Sequence, residues 1–268
     1  MKKRAECISF ANHKGGTGKT TSCISIAGWL AKKGQKVLVV DFDPQANATS
    51  GLGIDVMSLK YSIYDAVLNH CEVYEGVPVA EVIVETEIEN LHLAPSEMDL
   101  SISEVIMQQC MNKSGVLNRM LSDVRTFYDF ILIDLPTSPG LLKINGLCAS
   151  DIVIVPVDPS IFSLEALYNL RTTFHDIKQM TGRPVPQLIS VLIRYARPGM
   201  FSEIFGKSSQ SQEVGARLKE IFDTVFTIPE SKEIYESQKE GAPISHYAPN
   251  SKAGRAYEQI AMLLMNKS

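Results

Sequence analysis

Residues 10–21 read Phe-Ala-Asn-His-Lys-Gly-Gly-Thr-Gly-Lys-Thr-Thr, a run of types and spacings suited to holding a triphosphate. Gly15, Gly16 and Gly18 let the chain turn so that backbone N–H groups converge on phosphate oxygens, and a helix opening at Thr20 adds the positive end of its dipole. Lys19 is spaced to reach the β- and γ-phosphates, and the Thr20 hydroxyl to ligate Mg²⁺. Thr17 and Thr21 fall within the same nucleotide-facing run. Two acids, Asp41 and Asp43, follow at the end of the apolar run 37–41. At the C-terminal edge of a strand such a pair can divide two tasks, one acid holding Mg²⁺ through its water shell and the other positioning an attacking water. A turn built on Asp43-Pro44 accounts for the same residues without chemistry. A third acid, Asp134, ends the apolar run 130–134 and brings a carboxylate towards the metal's outer shell, again through water.

Elements must hold these groups together. Short Val/Ile/Leu runs predict strands at 7–11, 37–41, 91–94, 130–134, 152–157, 188–193 and 225–228, and longer periodic segments predict helices at 20–33, 98–109, 141–149, 164–180, 212–222 and 254–265. The last helix is expected to bury Ala256, Ile260, Leu263 and Leu264. Alternation of this kind argues for an α/β fold, a doubly wound and mostly parallel sheet flanked by helices. In open sheets of that class, ligands sit outside the C-terminal ends of the strands, where all three acids and the glycine loop fall. No repeat or linker divides the chain, so one domain over 1–268 is expected. The stretch 194–212 is the least regular.

Composition narrows the function classes. The 268 residues are 45% apolar and 21% charged, an ordinary globular balance. A net charge of −4, from 26 Lys and Arg against 30 Asp and Glu, excludes a uniformly basic protein. Contact with nucleic acid therefore needs a local patch. Five scattered cysteines without a Cys-x-x-Cys pair suit reduced thiols in the cytoplasm. No run approaches the ~20 apolar residues of a spanning helix.

Lys14 is not demanded by a phosphate cradle, and a solvated loop lysine is one reading of it. With it, Lys-Gly-Gly-Thr-Gly-Lys-Thr (14–20) resembles the deviant Walker-A class of P-loop ATPases, which includes ParA-type partition ATPases, MinD and the nitrogenase iron protein. The resemblance implies that Lys14 reaches the partner subunit's nucleotide in an ATP-bound homodimer. Asp-Phe-Asp-Pro-Gln (41–45) matches the family's D-x-D-P-Q element, implying that Asp43 positions water and Asp41 supports Mg²⁺. Residues 134–151, Ile-Val-Pro-Val at 154–157 and segments near 241–252 look like ParA/Soj-type chromosome-partitioning ATPases over nearly the whole chain. The resemblance implies an ATPase using ATP/ADP and Mg²⁺, with slow turnover stimulated by a ParB-like activator, and it carries Pro229 over to the nucleotide's base end.

Other branches fit less well. A shared iron–sulfur cluster needs a cysteine pair that is not evident. A MinD-like membrane ATPase needs a basic amphipathic C-terminal helix, whereas the final residues carry one lysine, so membrane contact is not expected. With six residues before the first strand, no N-terminal helix-turn-helix domain is expected. Where ParA/Soj relatives have arginines after Ile-Pro, this chain has Glu230, Ser231, Lys232 and Glu233, which disfavours DNA at that spot. Arg194, Arg197, Lys207, Arg217 and Lys219 are the alternative candidates for nonspecific DNA contact, or else a solvated surface. Expected outputs are ATP-driven partition or positioning of DNA or another large cargo, or a regulatory ATPase acting on a protein or membrane partner. A small-molecule kinase or ligase is the third reading, disfavoured because Lys14 and the D-x-D-P-Q element suit water as acceptor.

Overall fold

The computed structural model describes residues 4–72, 75–159, 172, 178–179, 185–195 and 207–267. The chain begins with β1 (Glu6–Phe10), α1 (Lys19–Lys32), β2 (Val37–Asp41), α2 (Asn47–Gly51), α3 (Ile63–Cys71) and α4 (Val79–Val82). It continues through β3 (Val84–Glu85), β4 (Leu91–Ala94), α5 (Ser103–Met107), α6 (Val116–Ser122), β5 (Phe130–Asp134), α7 (Leu141–Ala149) and β6 (Ile152–Val157). The remaining elements are β7 (Gln187–Tyr195), α8 (Lys207–Ile221), β8 (Thr224–Pro229), α9 (Lys232–Lys239), α10 (Ile244–Tyr247) and α11 (Lys252–Lys267).

Eight strands form one sheet in the order β3-β4-β2-β5-β1-β6-β7-β8. Every neighbouring pair is parallel except β3 with β4. From β1 the chain works outward first through β2 and later, in the other direction, through β6, β7 and β8. The loop after β1 therefore opens at the point where the winding reverses, which is where such sheets hold ligands. Register fixes the height of the acids: Asp134 lies opposite both Phe10 of β1 and Asp41 of β2.

Alternation along the strands sorts the core into two faces. Ile8, Phe10, Val37, Val39, Phe130 and Leu132 pack with α1 and α11. Cys7, Leu38, Val40, Ile131 and Ile133 face α3, α6 and α7. Residues Val37 to Asp41 and Phe130 to Asp134 are buried throughout, so both acids end strands covered on both sides.

Several sequence expectations shift. β1 begins one residue earlier than expected, β7 extends two residues further to Tyr195, and α8 covers Lys207–Ile221; the rest of the stretch 194–212, residues 196–206, lies outside the described residues. The helix expected at 98–109 is a 3₁₀ turn over Met98–Ile102 followed by the five-residue α5. In α11 the buried face is Ala253, Tyr257, Ile260, Ala261 and Leu264, rotated from the expected one because Tyr257 turns inward to meet Ser22 of α1 at 3.2 Å. Helices α2, α3, α4, α6, α9 and α10 fall outside the expected set, α3 although Ser62 and Asp65 form a reciprocal capping box at its start. The expected helix 164–180 falls almost wholly outside the described residues. Among those described, no helix is long and apolar enough to cross a membrane.

Candidate functional site

The loop between β1 and α1 is shaped by side chains on either side of its glycines. Asn12, nearly buried, donates from Nδ2 to the Pro156 carbonyl of β6 at 2.6 Å and accepts the Lys14 N–H at 3.2 Å. Thr17 Oγ1 donates to the Lys14 carbonyl at 3.1 Å, closing the turn. Gly16 and Gly18 have φ of 72° and 74°, the left-handed region that an L side chain resists. Gly18 caps α1, so the first helical N–H groups face the space above the loop.

That space is a cavity of about 530 Å³. Gly15, Gly16, Gly18, Lys19, Thr20 and Thr21 bound it on one side, and Asp43, Gln45, Asn47, Ser50, Gly51, Thr137 and Gln238 bound the other. Lys19 is almost buried, and burial lowers its pKa while the charges of Asp134 and Asp43 oppose the shift. An ammonium in this setting is held by carboxylates it does not fully pair with, and it gains from an arriving polyanion.

Thr20 Oγ1 donates to Asp134 Oδ2 at 2.5 Å. The other oxygen, Asp134 Oδ1, is buried and has no hydrogen-bond partner among the described residues. Burial, reinforced by the charge of Asp41 alongside, pushes Asp134 up to about 8. A buried carboxylate with an orphan oxygen beside a threonine hydroxyl fits a hard divalent cation or its water shell. This donor set is compatible with Mg²⁺.

Asp41, like Asp134, is fully buried and is not among the residues bounding the cavity. Its Oδ2 accepts both the N–H and the hydroxyl of Thr49, each at 2.8 Å, and its Oδ1 accepts the Asp43 N–H at 3.3 Å. Thr49 Oγ1 in turn accepts the Ser96 N–H at 3.0 Å, and Ser96 Oγ donates to the Asp43 carbonyl at 2.8 Å. Asp41 thus holds the loop and α2 that present Asp43; its geometry is that of a support.

Lys14 is exposed and lies outside the cavity wall. Pro229 ends β8 opposite Tyr195 and is likewise absent from the wall. The wall residue from this part of the chain is Gln238 on α9, whose Nε2 donates to Thr21 Oγ1 at 2.6 Å. Nothing in the sequence around Gln238 signalled it, since an exposed glutamine on a charged helix has no characteristic spacing. Asn47, Ser50 and Gly51 were missed for another reason: they belong to the short α2, which directly follows the D-x-D-P-Q element.

The basic candidates are dispersed. Arg194 forms an ion pair with the buried Asp158, and Arg217 one with Glu213 at 2.8 Å. Lys219 is exposed two positions beyond Arg217, which turns it to another side of α8. Lys207 opens α8, its side chain outside the description, and Arg197 lies outside the described residues altogether. Glu233 accepts the Ser231 hydroxyl at 2.6 Å in the first turn of α9, where an acid favours the helix dipole. Of the two acids singled out after Ile228-Pro229, Glu233 therefore lies in the first turn of a helix and Glu230 directly precedes its N-cap, Ser231.

A strand, a glycine loop ending in Lys-Thr, a helix, and a buried strand-terminal carboxylate on the same sheet edge define a P-loop nucleotide-binding protein. The model of the AAA domain family matches residues 5–185. Soj of Bacillus subtilis, a sporulation initiation inhibitor protein, is 33% identical over 257 residues, covering 95% of this chain and 96% of that protein. The chromosome partitioning protein ParA of Myxococcus xanthus is 34% identical, covering 98% of this chain and 88% of that one. Among solved structures, cobyrinic acid a,c-diamide synthase from Mycobacterium smegmatis with bound ADP and magnesium superposes with a TM-score of 0.79 at 27% identity, covering 98% of this chain and 94% of that one. The chain belongs to the AAA domain family, among its ParA/Soj-type ATPases.

Proposed function

We propose that this protein is a Mg²⁺–ATP-dependent dimerisation switch that hydrolyses ATP to partition or position DNA or another large cargo. The observation that carries the reading is the convergence of Lys19, Thr20 and Asp43 on one cavity, with the orphan oxygen of Asp134 behind Thr20. The relative at 27% identity is solved with bound ADP and magnesium, which supports a Mg²⁺–nucleotide site in this fold.

In this mechanism the loop amides and Lys19 bind the β- and γ-phosphates, and Thr20 with Asp134 holds the metal side. Mg²⁺ held by these residues would supply neutralisation of phosphate charge. Asp43, half-buried and backed by Asp41, Thr49 and Ser96, orients the attacking water. Lys14 stands outside its own cavity, and that exposure supports a reach towards the nucleotide of a second copy. Closure of two subunits then presents a composite surface to an activator of the ParB type, and hydrolysis reopens it.

A second reading keeps the switch and replaces DNA with a protein or membrane partner. The ion pairs of Arg194 and Arg217 and the acids of α9 favour it, because phosphates compete poorly for basic groups already answered by carboxylates. Sedimentation of the Asp43→Ala protein with and without Mg²⁺–ATP, repeated with random-sequence duplex DNA across a salt series, tests both. Dimers with salt-sensitive DNA binding support the partition reading. Dimers that ignore DNA support the second, and absence of ATP-dependent dimers overturns the switch.

A further inference from the structure

Lys143, in the first turn of α7, is 3% exposed, a rare state for a lysine. Its Nζ donates to the Thr137 carbonyl, in the loop that leaves Asp134 and walls the cavity. Among the described residues no carboxylate lies within ion-pair distance of it. Burial, then the charge of Lys19, brings its pKa down to about 8, with Asp43 opposing. The same field reaches His13 in the glycine loop, whose pKa is lowered by burial and then by Lys143. His13 Nε2 is buried without a hydrogen-bond partner among the described residues.

Behind Thr137 the fold has gathered two lysines and an imidazole; Asp134 and Asp43 both act on Lys19, and of the two only the charge of Asp43 reaches Lys143. A cation taken out of water without a full counter-charge is costly, and the cost is relieved by an anion arriving across a thin, water-poor wall. The space on the far side of Thr137 is the nucleotide cavity.

We propose that Lys143 is a positioning residue that makes the cavity favour a nucleoside triphosphate over a diphosphate: held on the Thr137 carbonyl, its ammonium answers the added charge of the terminal phosphate and fixes the 135–140 loop when that charge is present. The proposal rests on the ATPase reading and deepens it. It differs from a plain structural staple between Lys143 and Thr137, which would stabilise the protein equally with either nucleotide.

The test compares the unsubstituted full chain with Lys143→Met and Lys143→Arg. Calorimetric titrations use Mg²⁺–ADP and a Mg²⁺-bound non-hydrolysable ATP analogue, with thermal unfolding measured in the absence of nucleotide. Methionine fills the lysine stem's volume without a buried charge, so Lys143→Met is expected to unfold at the same temperature or higher. Its affinity for ADP should stay within about twofold while that for the ATP analogue falls about tenfold, the size of one partly screened charge–charge interaction. Lys143→Arg should keep the triphosphate preference. An unchanged preference in Lys143→Met with binding intact overturns this inference alone. Equal loss of both affinities with a lowered unfolding temperature also overturns it, in favour of the staple. Failure of the unsubstituted chain to bind either nucleotide takes down the ATPase reading as well.

Discussion

The C-terminal edge of β1, β2 and β5 and the surface formed by Arg194 and α8 are both rich in ionisable groups, and they treat them in opposite ways. At the strand edge the charges are buried and left incompletely answered: Asp134 keeps an orphan oxygen, Lys19 is desolvated, and Lys143 has a carbonyl in place of a carboxylate. On the other surface, Arg194 and Arg217 each meet an acid of the same chain. Unanswered charge marks where a ligand completes the fold, and answered charge marks a surface satisfied by itself.

The sharpest break in this comparison is expected at Asp43. Asp43→Ala should lower the hydrolysis rate about 10²–10⁴-fold, as loss of a group acting on the attacking water does, while nucleotide affinity is retained; single-turnover kinetics beside equilibrium binding would show both. An accompanying loss of affinity would mean that Asp43 shapes the cavity instead.

Next in size is Lys19. Lys19→Ala should weaken Mg²⁺–ATP binding about 100-fold, the equivalent of ~2.7 kcal/mol, with little change in unfolding temperature, because the lysine answers a ligand more than it answers the fold. Calorimetry and a thermal melt decide this together.

The third is a pH effect without Mg²⁺ or nucleotide. Burial and the charge of Asp41 raise Asp134 to about 8, well above an unfolded aspartate at 3.8, so the folded state holds the proton more tightly. Its stabilising contribution is present at low pH and lost as pH rises through about 8. Denaturant melts between pH 5.5 and 8.5 should show falling stability, and Asp134→Asn should flatten that slope. A slope unchanged in Asp134→Asn would show that the loss arises elsewhere.

The smallest effect belongs to the opposite region. Arg217→Ala should change affinity for random-sequence duplex DNA by less than about twofold in fluorescence anisotropy, since the Glu213 carboxylate beside it repels phosphate and Lys219 turns to another side of the helix. A larger loss, with a reduced salt slope, would show that the Glu213 pair opens for phosphate and would restore α8 as a DNA face.

The contrast also explains what the sequence disclosed. The glycine loop, Asp43 and Asp134 were legible because phosphate chemistry fixes residue types at short spacings, and strand ends fix their height. The strands 37–41, 91–94, 130–134 and 152–157 coincide with β2, β4, β5 and β6, since fully covered strands read as continuous apolar runs. Gln238 enters the cavity from far along the chain, and Asp41's inward turn depends on Thr49, so neither leaves a local pattern. Helix α9 is short and charged, which hides it from periodicity. Lys143 is visible in the sequence only as one of two polar residues, with Asn145, in a largely apolar helix; its meaning comes from burial.

One packing detail extends past the cavity. Glu104 of α5 accepts the Leu142 N–H at 3.1 Å at the start of α7, and a side chain at Gly140 would collide with the same carboxylate. The loop from Asp134 to α7 is therefore pinned at its far end by a neighbouring element. Any displacement of that end must either strip a backbone N–H of its acceptor or pull α5 along with it. The exposed side chains Met98, Ile102 and Val105 lie on that element and on the 3₁₀ turn leading into it, so a shift of this loop that carried α5 along would be felt at the outer surface.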